Sequence, residues 1–356
     1  MEAQIREIGG VLMAKMKAAI FKETNKPLEV TEIDKPVIEE DEDVIVKVVA
    51  CGLCHTDLGY IDYGVPTFKK PPLVLGHEPS GIVEEIGSKV TNVKVGDRVL
   101  IGPITCGNCF YCRNGRENIC QSMMMIGNNL DGAFAEYVKV PARCLVKLPE
   151  ELPLKESCVI SDAVVSPYHA VKRRAKVGLG DWVAVFGCGG VGINCVQWAN
   201  LAGGLVIAVD IMDHKLQLAK ELGAVAIVNA KKVENVPKEV RKISGGGVDI
   251  AMECIGNPDV ITQAFDATRD GGKVCVVGYS FKSPPLKAAR LMYREMEITG
   301  SIAGLVSDYE RIFNLIKTGK FRVDRLITSR YPLDKINEAF DELRKGEAIR
   351  IIVEME

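Results

Sequence analysis

Gly187-Cys188-Gly189-Gly190-Val191-Gly192 follows the apolar run Trp182–Phe186 without a break and leads into a helix-like segment, Val191–Leu201. A strand that turns through G-x-G-x-x-G into a helix admits few folds. Gly187 permits the tight turn, Gly189 lets the backbone approach a pyrophosphate, and Gly192 lets helix and strand pack closely. The helix N-terminus adds free N–H groups and the positive end of its dipole. Such a motif alone is a weak signal, since glycine turns also serve packing. Its context is stronger: Leu205–Val209 is a second apolar run that ends at Asp210, 18 residues after Gly192. An acidic side chain there accepts hydrogen bonds from a ribose 2′-OH and repels a 2′-phosphate, which favours NAD over NADP. Ile211 and Met212 supply no basic partner for such a phosphate. The competing reading of Asp210 is a helix cap.

The surrounding rhythm agrees with the motif. After about residue 163, the short apolar runs Ala226–Val228, Asp249–Glu253 and Lys273–Gly278 alternate with helix-like His214–Leu222 and Asp259–Ala267. That alternation predicts a parallel, doubly wound α/β sheet. The preceding part is β-rich instead. Met16–Phe21, Leu28–Ile33, Val44–Ala50, Gly81–Ile86, Arg98–Ile101 and Phe134–Val140 read as strands separated by turn residues such as Val95-Gly96-Asp97. Many short strands so punctuated suggest a barrel-like β domain. Beyond Gly300 the pattern turns again, with helices at Tyr309–Lys317 and Leu333–Lys345 and a strand at Ile349–Val353.

Four cysteines lie in the β-rich part at the spacing C-x2-C-x2-C-x7-C: Cys106, Cys109, Cys112 and Cys120. Four thiolates so close in sequence can close a tetrahedral shell around one Zn²⁺ and leave no position open for a substrate. This zinc is therefore expected to be structural. The chain carries 12 cysteines in 356 residues. Met1–Lys15 shows no signal-peptide core and reads as a poorly ordered leader, so reduced thiols and a cytoplasmic setting are expected. Cys51, Cys144, Cys158, Cys188, Cys195, Cys254 and Cys275 read as small core hydrophobes. A net charge of −2 and the absence of an apolar run of membrane-spanning length point away from nucleic-acid and membrane partners.

A second metal cluster is suggested by Cys54-His55-Thr56-Asp57 and Gly76-His77-Glu78. Cys54 and His77 are a soft ligand and an imidazole, and a catalytic zinc needs about three protein ligands and one open position. Each motif alone also fits a core thiol or a hydrogen-bonded core histidine.

With these motifs in family order, and V-G-D-R-V at 95–99 between them, the chain resembles the zinc-dependent alcohol dehydrogenases of the medium-chain dehydrogenase/reductase superfamily. The resemblance implies a GroES-like β-barrel catalytic domain over residues 1–162 and 300–356, with a structural zinc lobe at about 102–122. It implies a Rossmann NAD-binding domain over 163–299. It assigns Cys54 and His77 as ligands of a catalytic zinc, with Glu78 a neighbour able to enter the shell. The third ligand position falls on Asp162, where many members have cysteine; Cys158 is the competitor, and a cap or ion-pair role the plainer alternative. Thr56 resembles the hydroxyl that takes the substrate proton, and Asp57 the carboxylate that orients the zinc-bound histidine. The implied cofactor contacts are His55, Ser166, Gly187, Gly189, Gly190, Val191, Gly192, Asp210, Lys215, Cys254, Ile255, Val277, Gly278, Tyr279 and Arg350. For Lys215 and Arg350 a solvated surface charge is the alternative. Gly59 departs from the pattern, standing where many members have a relay histidine.

The resemblance implies two Zn²⁺ per chain, NAD, and hydride transfer between a small alcohol and its aldehyde or ketone in a cleft between the domains, by a homodimer or homotetramer. A polyol or a CoA-linked hydroxy compound is the alternative substrate, the latter suggested by Lys69 and Lys70 in the Gly64–Lys70 segment. A zinc-free quinone or enoyl reductase would lack both cysteine sets. A non-enzymatic sensor that keeps NAD and zinc is the remote reading.

Overall fold

The computed structural model describes residues 7–8, 11–12 and 14–355. The expectation of a poorly ordered leader falls mostly outside these residues. In chain order the first stretch forms β1 (Lys15–Phe21), β2 (Glu29–Asp34), β3 (Asp43–Gly52), α1 (His55–Tyr63), β4 (Leu73–Val74), β5 (Glu78–Ile86), β6 (Arg98–Ile101), β7 (Tyr137–Pro141) and β8 (Leu145–Lys147). Then follow β9 (Trp182–Phe186), α2 (Gly192–Leu201), β10 (Leu205–Asp210), α3 (Asp213–Glu221), β11 (Ala224–Asn229), α4 (Val236–Ile243), β12 (Val248–Glu253), α5 (Pro258–Ala267), β13 (Thr268–Val276) and β14 (Glu297–Gly300). The chain closes with β15 (Ile327–Pro332), α6 (Ile336–Lys345) and β16 (Arg350–Glu354).

Two compact units result. Met1–Asp162, Leu305–Phe313 and Val323–Glu356 form the first, and Ala163–Gly304 and Asn314–Arg322 the second. The sequence-based boundary put in the first unit residues 300–304, which carry on from β14 of the second, and also Asn314–Arg322. The latter return to the second because Phe321 stacks on Trp198 at 4.0 Å and the Arg322 amide donates to Gln197 Oε1 at 2.9 Å. Local pattern carries no trace of such distant partners.

In the first unit a seven-stranded sheet has the order β8-β6-β5-β3-β16-β15, with β7 also paired to β3, and a three-stranded sheet the order β2-β1-β4. The Ala19 amide donates to the Phe134 carbonyl at 2.8 Å and ties the smaller sheet to the stretch leading into β7. Both sheets share one core: Val44, Val46 and Val48 alternate along β3 and meet Ala18 and Phe21 of β1 there. Helix α6 presents Ile336, Ala339, Phe340 and Leu343 to the same core, the stripe of a 3.6-residue period.

The second unit is a six-stranded parallel sheet ordered β11-β10-β9-β12-β13-β14. In β9, Val183, Ala184, Val185 and Phe186 are all buried, as a strand covered on both faces must be. Strand order reverses between β9 and β12, and open α/β sheets bind ligands at the carboxyl ends flanking that switch. The glycine run leaves β9 there. Helix α1 did not declare itself in the sequence: its apolar residues are few, and a left-handed Gly64 at φ 65° ends it.

Candidate active site

Three segments far apart in sequence build one cluster in the first unit. Cys54 sits at the N-terminus of α1, His77 in the turn before β5, and Asp162 after a 3₁₀ turn at Glu156–Ser161. One ligand atom from each of Cys54, His77 and Asp162 lies within 4.8 Å of the others. Cys54 Sγ is 4.0 Å from Asp162 Oδ2, and His77 Nε2 is 3.7 Å from that same oxygen. Those separations suit one ion bound at about 2.0–2.3 Å to each. Asp162 keeps 27% of its side chain exposed while His77 keeps 5%, so one side of the cluster stays open.

Asp57 braces two members at once. Its Oδ2 accepts the Cys54 amide N–H at 3.0 Å, and its Oδ1 stands 3.4 Å from His77 Nδ1. Fully buried, this carboxylate turns the ring so that Nε2 faces the cluster. Gly76 makes the turn possible, at φ 94°, where a Cβ would strike Phe134 at 2.8 Å. Burial disfavours a charged imidazole, but Asp57 first and then Asp162 hold His77 well above its ordinary value. Burial likewise opposes ionisation of Cys54, yet His77 beside it draws the thiol below its ordinary value. Thr56 Oγ1 lies 3.5 Å from Cys54 Sγ.

Glu78 is not among the three clustered ligands; its Oε1 lies 3.5 Å from Arg350 Nη2, and a side chain on Gly52 would meet its Oε2 at 1.8 Å. Arg350 is neither solvated nor at a surface: it is 4% exposed, and its Nη1 donates to the Leu53 carbonyl at 2.7 Å. The sequence offered no sign that β16 pairs with the end of β3 and drags Arg350 behind the cluster. Cys158 is buried, its thiol pushed well up by that burial, and stands outside the cluster. At Gly59 a Cβ would come to 3.2 Å from Val65, so the missing imidazole leaves packing rather than a gap.

The second cluster unites Cys106, Cys109, Cys112 and Cys120. Four of the six Sγ separations are 3.5 Å (Cys109–Cys112 and Cys106–Cys120) and 3.9 Å (Cys106–Cys112 and Cys109–Cys120). Four thiolates at 2.3 Å from a tetrahedral zinc stand about 3.8 Å apart. Amide N–H groups of Cys109, Cys106 and Ser122 point at the sulfurs at 3.3–3.4 Å, supporting negative charge. Amides of Cys112 and Gln121 hold Cys109 down to about 6, while burial and the neighbouring thiols push Cys112 up to about 12. The lobe's base is closed by Ile104 and Met124, each amide donating to the other's carbonyl at 3.0 and 2.9 Å.

In the second unit the glycine run shows a division of labour. Gly187 has φ 89°, and a Cβ there would meet Ile255 at 2.5 Å. A Cβ on Gly192 would meet the Gly187 carbonyl at 1.7 Å, whereas one on Gly189 meets nothing within 4 Å. Gly187 and Gly192 thus make the turn, and Gly189 leaves the open approach a pyrophosphate needs. Asp210 does not cap the helix, since α3 begins at Asp213 behind Met212. Its Oδ2 accepts from the Cys188 amide at 2.7 Å, and its Oδ1 from Ile211 and Met212. Lys215 is buried in α3 rather than solvated, and Ser166 is buried in a helical turn. His55 is exposed at the start of α1. Cys254 turns its thiol to Cys195 at 3.7 Å, while Ile255 and Tyr279 are exposed beside Val277 and Gly278. No described helix is long and apolar enough to cross a membrane.

A cysteine–histidine–carboxylate trio, a separate four-thiolate lobe and a glycine turn on a parallel sheet define a zinc-binding dehydrogenase. Comparison with known proteins agrees. Residues 40–150 match the alcohol dehydrogenase GroES-like domain and residues 190–318 the zinc-binding dehydrogenase domain. An alcohol dehydrogenase of Geobacillus stearothermophilus is 38% identical, covering 93% of this chain and 97% of its own. The crystal structure of benzyl alcohol dehydrogenase from Acinetobacter calcoaceticus superposes with TM-score 0.90 at 30% identity, over 97% of this chain and 100% of the other. A protein described as a zinc-binding dehydrogenase from Sinorhizobium meliloti 1021, solved with NADP bound, gives TM-score 0.86 at 30% identity, over 96% and 99%. The chain belongs to the zinc-dependent alcohol dehydrogenase family, and it is an oxidoreductase acting on small-molecule alcohols.

Proposed function

We propose that the chain interconverts a primary, secondary or cyclic alcohol and its carbonyl compound, with NAD as cofactor and a zinc held by Cys54, His77 and Asp162. The observation that carries this is the trio itself: a thiol, an imidazole and a carboxylate from three segments, converging within 4.8 Å over a brace made by Asp57. When bound, the zinc supplies a Lewis acid for the alcohol oxygen, and NAD supplies the hydride acceptor. Thr56, beside Cys54, takes the hydroxyl proton from the alcohol. Asp57 keeps His77 and Cys54 in fixed orientation. No imidazole stands at position 59, so the proton taken up by Thr56 is not passed to a histidine there. Cys54 and Asp162 together bring −2 to a divalent ion, and the carboxylate oxygen in place of sulfur makes the site harder.

Asp210 supports NAD over NADP. Its carboxylate stands at the end of β10, and neither Ile211 nor Met212 directly after it is basic, even though the Sinorhizobium relative holds NADP in the same fold. Lys69 lends no support to an anionic or CoA-linked substrate, because its ammonium is paired with Asp131 at 2.5 Å. We also read the chain as a cytoplasmic homo-oligomer. Twelve unpaired thiols suit a reducing compartment, and Tyr279, Phe281, Leu286, Met292 and Tyr293 expose an apolar surface on the second unit. Absorbance of NADH, followed with primary, secondary, cyclic and polyol alcohols, tests the reading. Turnover with at least one simple alcohol and NAD is expected. Turnover only with NADP overturns the cofactor assignment, and none with any alcohol overturns the reaction.

A further inference from the structure

Glu253 is the last residue of β12, level with Phe186 at the end of β9, so it stands at the switch point of the sheet. Its side chain is fully buried. Oε1 accepts two amide N–H groups, from Ile255 at 2.9 Å and Gly256 at 2.8 Å. The backbone carbonyl of the same residue accepts two more, from Val277 at 2.8 Å and Gly278 at 3.0 Å. One residue therefore ties down both loops that leave the central strands, 254–257 and 277–279.

These loops are packed to the limit of backbone contact. A Cβ on Gly256 would meet the Tyr279 carbonyl at 1.9 Å, and one on Gly278 the Gly256 amide nitrogen at 2.1 Å. The glycine turn after β9 joins them, since a Cβ on Gly187 would meet Ile255 at 2.5 Å. The three loops pack as one rim, with the Glu253 carboxylate buried beneath it. Burying a carboxylate is costly unless its acceptors are used, and here the Ile255 and Gly256 amides use one of them. Burial pushes its carboxyl up against the pull of the Gly256, Ile255 and Asn257 amides.

We propose that Glu253 is a positioning residue for the dinucleotide: it fixes the 254–257 and 277–279 loops in the one arrangement that a dinucleotide at this sheet edge can meet. The inference rests on the dinucleotide reading of this sheet edge. Without the anchor the loops would populate the competent arrangement only part of the time, and apparent affinity falls by that fraction.

The test is NADH titration of the full-length, zinc-loaded protein by nucleotide fluorescence, alongside KM for NAD, kcat and thermal midpoint. Glu253→Ala is expected to weaken NADH binding by about tenfold or more and to raise KM for NAD far more than it lowers kcat. Glu253→Gln keeps an acceptor oxygen for the two amides and is expected to stay within about threefold of wild type. Should the alanine variant fail to fold, Glu253→Asp decides: its shorter arm cannot reach both amides, so a loss of about fivefold supports the proposal. A folded Glu253→Ala, or failing that Glu253→Asp, that binds NADH within twofold of a wild type that binds it overturns the proposal alone. A wild type that binds no NADH overturns the dinucleotide reading as well.

Discussion

Asp57 serves two ligands of the candidate metal site at once, since one carboxylate meets both Cys54 and His77. The linkage has a definite sign. The pKa of His77 is raised, so its charged form stabilises the metal-free fold below the unfolded value near 6.5, and that stabilisation is lost as pH climbs through the raised value. A metal must displace that proton, so zinc affinity at this site should keep rising with pH beyond 6.5. Asp57→Asn removes the main charge that raises His77. Competition with a chelator of known affinity should then show the rise ending at lower pH and affinity about 10–100-fold weaker. A variant with unchanged affinity and pH profile would contradict the brace. Much of this site was legible beforehand, since Cys54, Thr56, Asp57 and His77 lie in two short local motifs. Arg350 was singled out without its place beside Glu78, and Glu253 was not singled out at all, because both depend on strands that meet across about 300 and 70 residues.

At the scale of single elements, the glycine turn and the cysteine lobe each make a sharp demand. Gly192→Ala must push a methyl into the Gly187 carbonyl and should cost about 1–3 kcal/mol or more, read as a lower thermal midpoint. Gly189→Ala meets open space, so it should leave the midpoint nearly unchanged while raising KM for NAD severalfold. Equal effects at both positions would remove the distinction. The lobe should behave as a staple. Cys112→Ala is expected to lower the thermal midpoint, and to reduce turnover only as far as folded protein is lost. An unshifted midpoint with lost turnover would give the lobe a chemical role. The elements themselves were read well where pattern is strong. Trp182–Phe186 and Arg98–Ile101 stand where the apolar runs placed them. Helix α1 escaped because its caps and ligands crowd out its apolar periodicity.

For the molecule as a whole, the chain returns on itself in ways that local pattern cannot encode. β16 inserts between β3 and β15, completing the first unit with residues 350–354, while Asn314–Arg322 go back to the second. Alternating strands and helices revealed the parallel sheet because that fold is built from repeated neighbouring units; the partners of the β-rich part are mostly distant, so its strands were visible but not their pairing. Two metal sites of different kind are expected in one chain, a closed one that stabilises and an open one that works. Metal content, measured together with turnover on purified wild type and Asp162→Ala, tests this most directly. The expected result is about two zinc ions per wild-type chain and about one in the variant, with turnover lost and the thermal midpoint nearly kept. A variant that keeps both zinc ions and its turnover would contradict it.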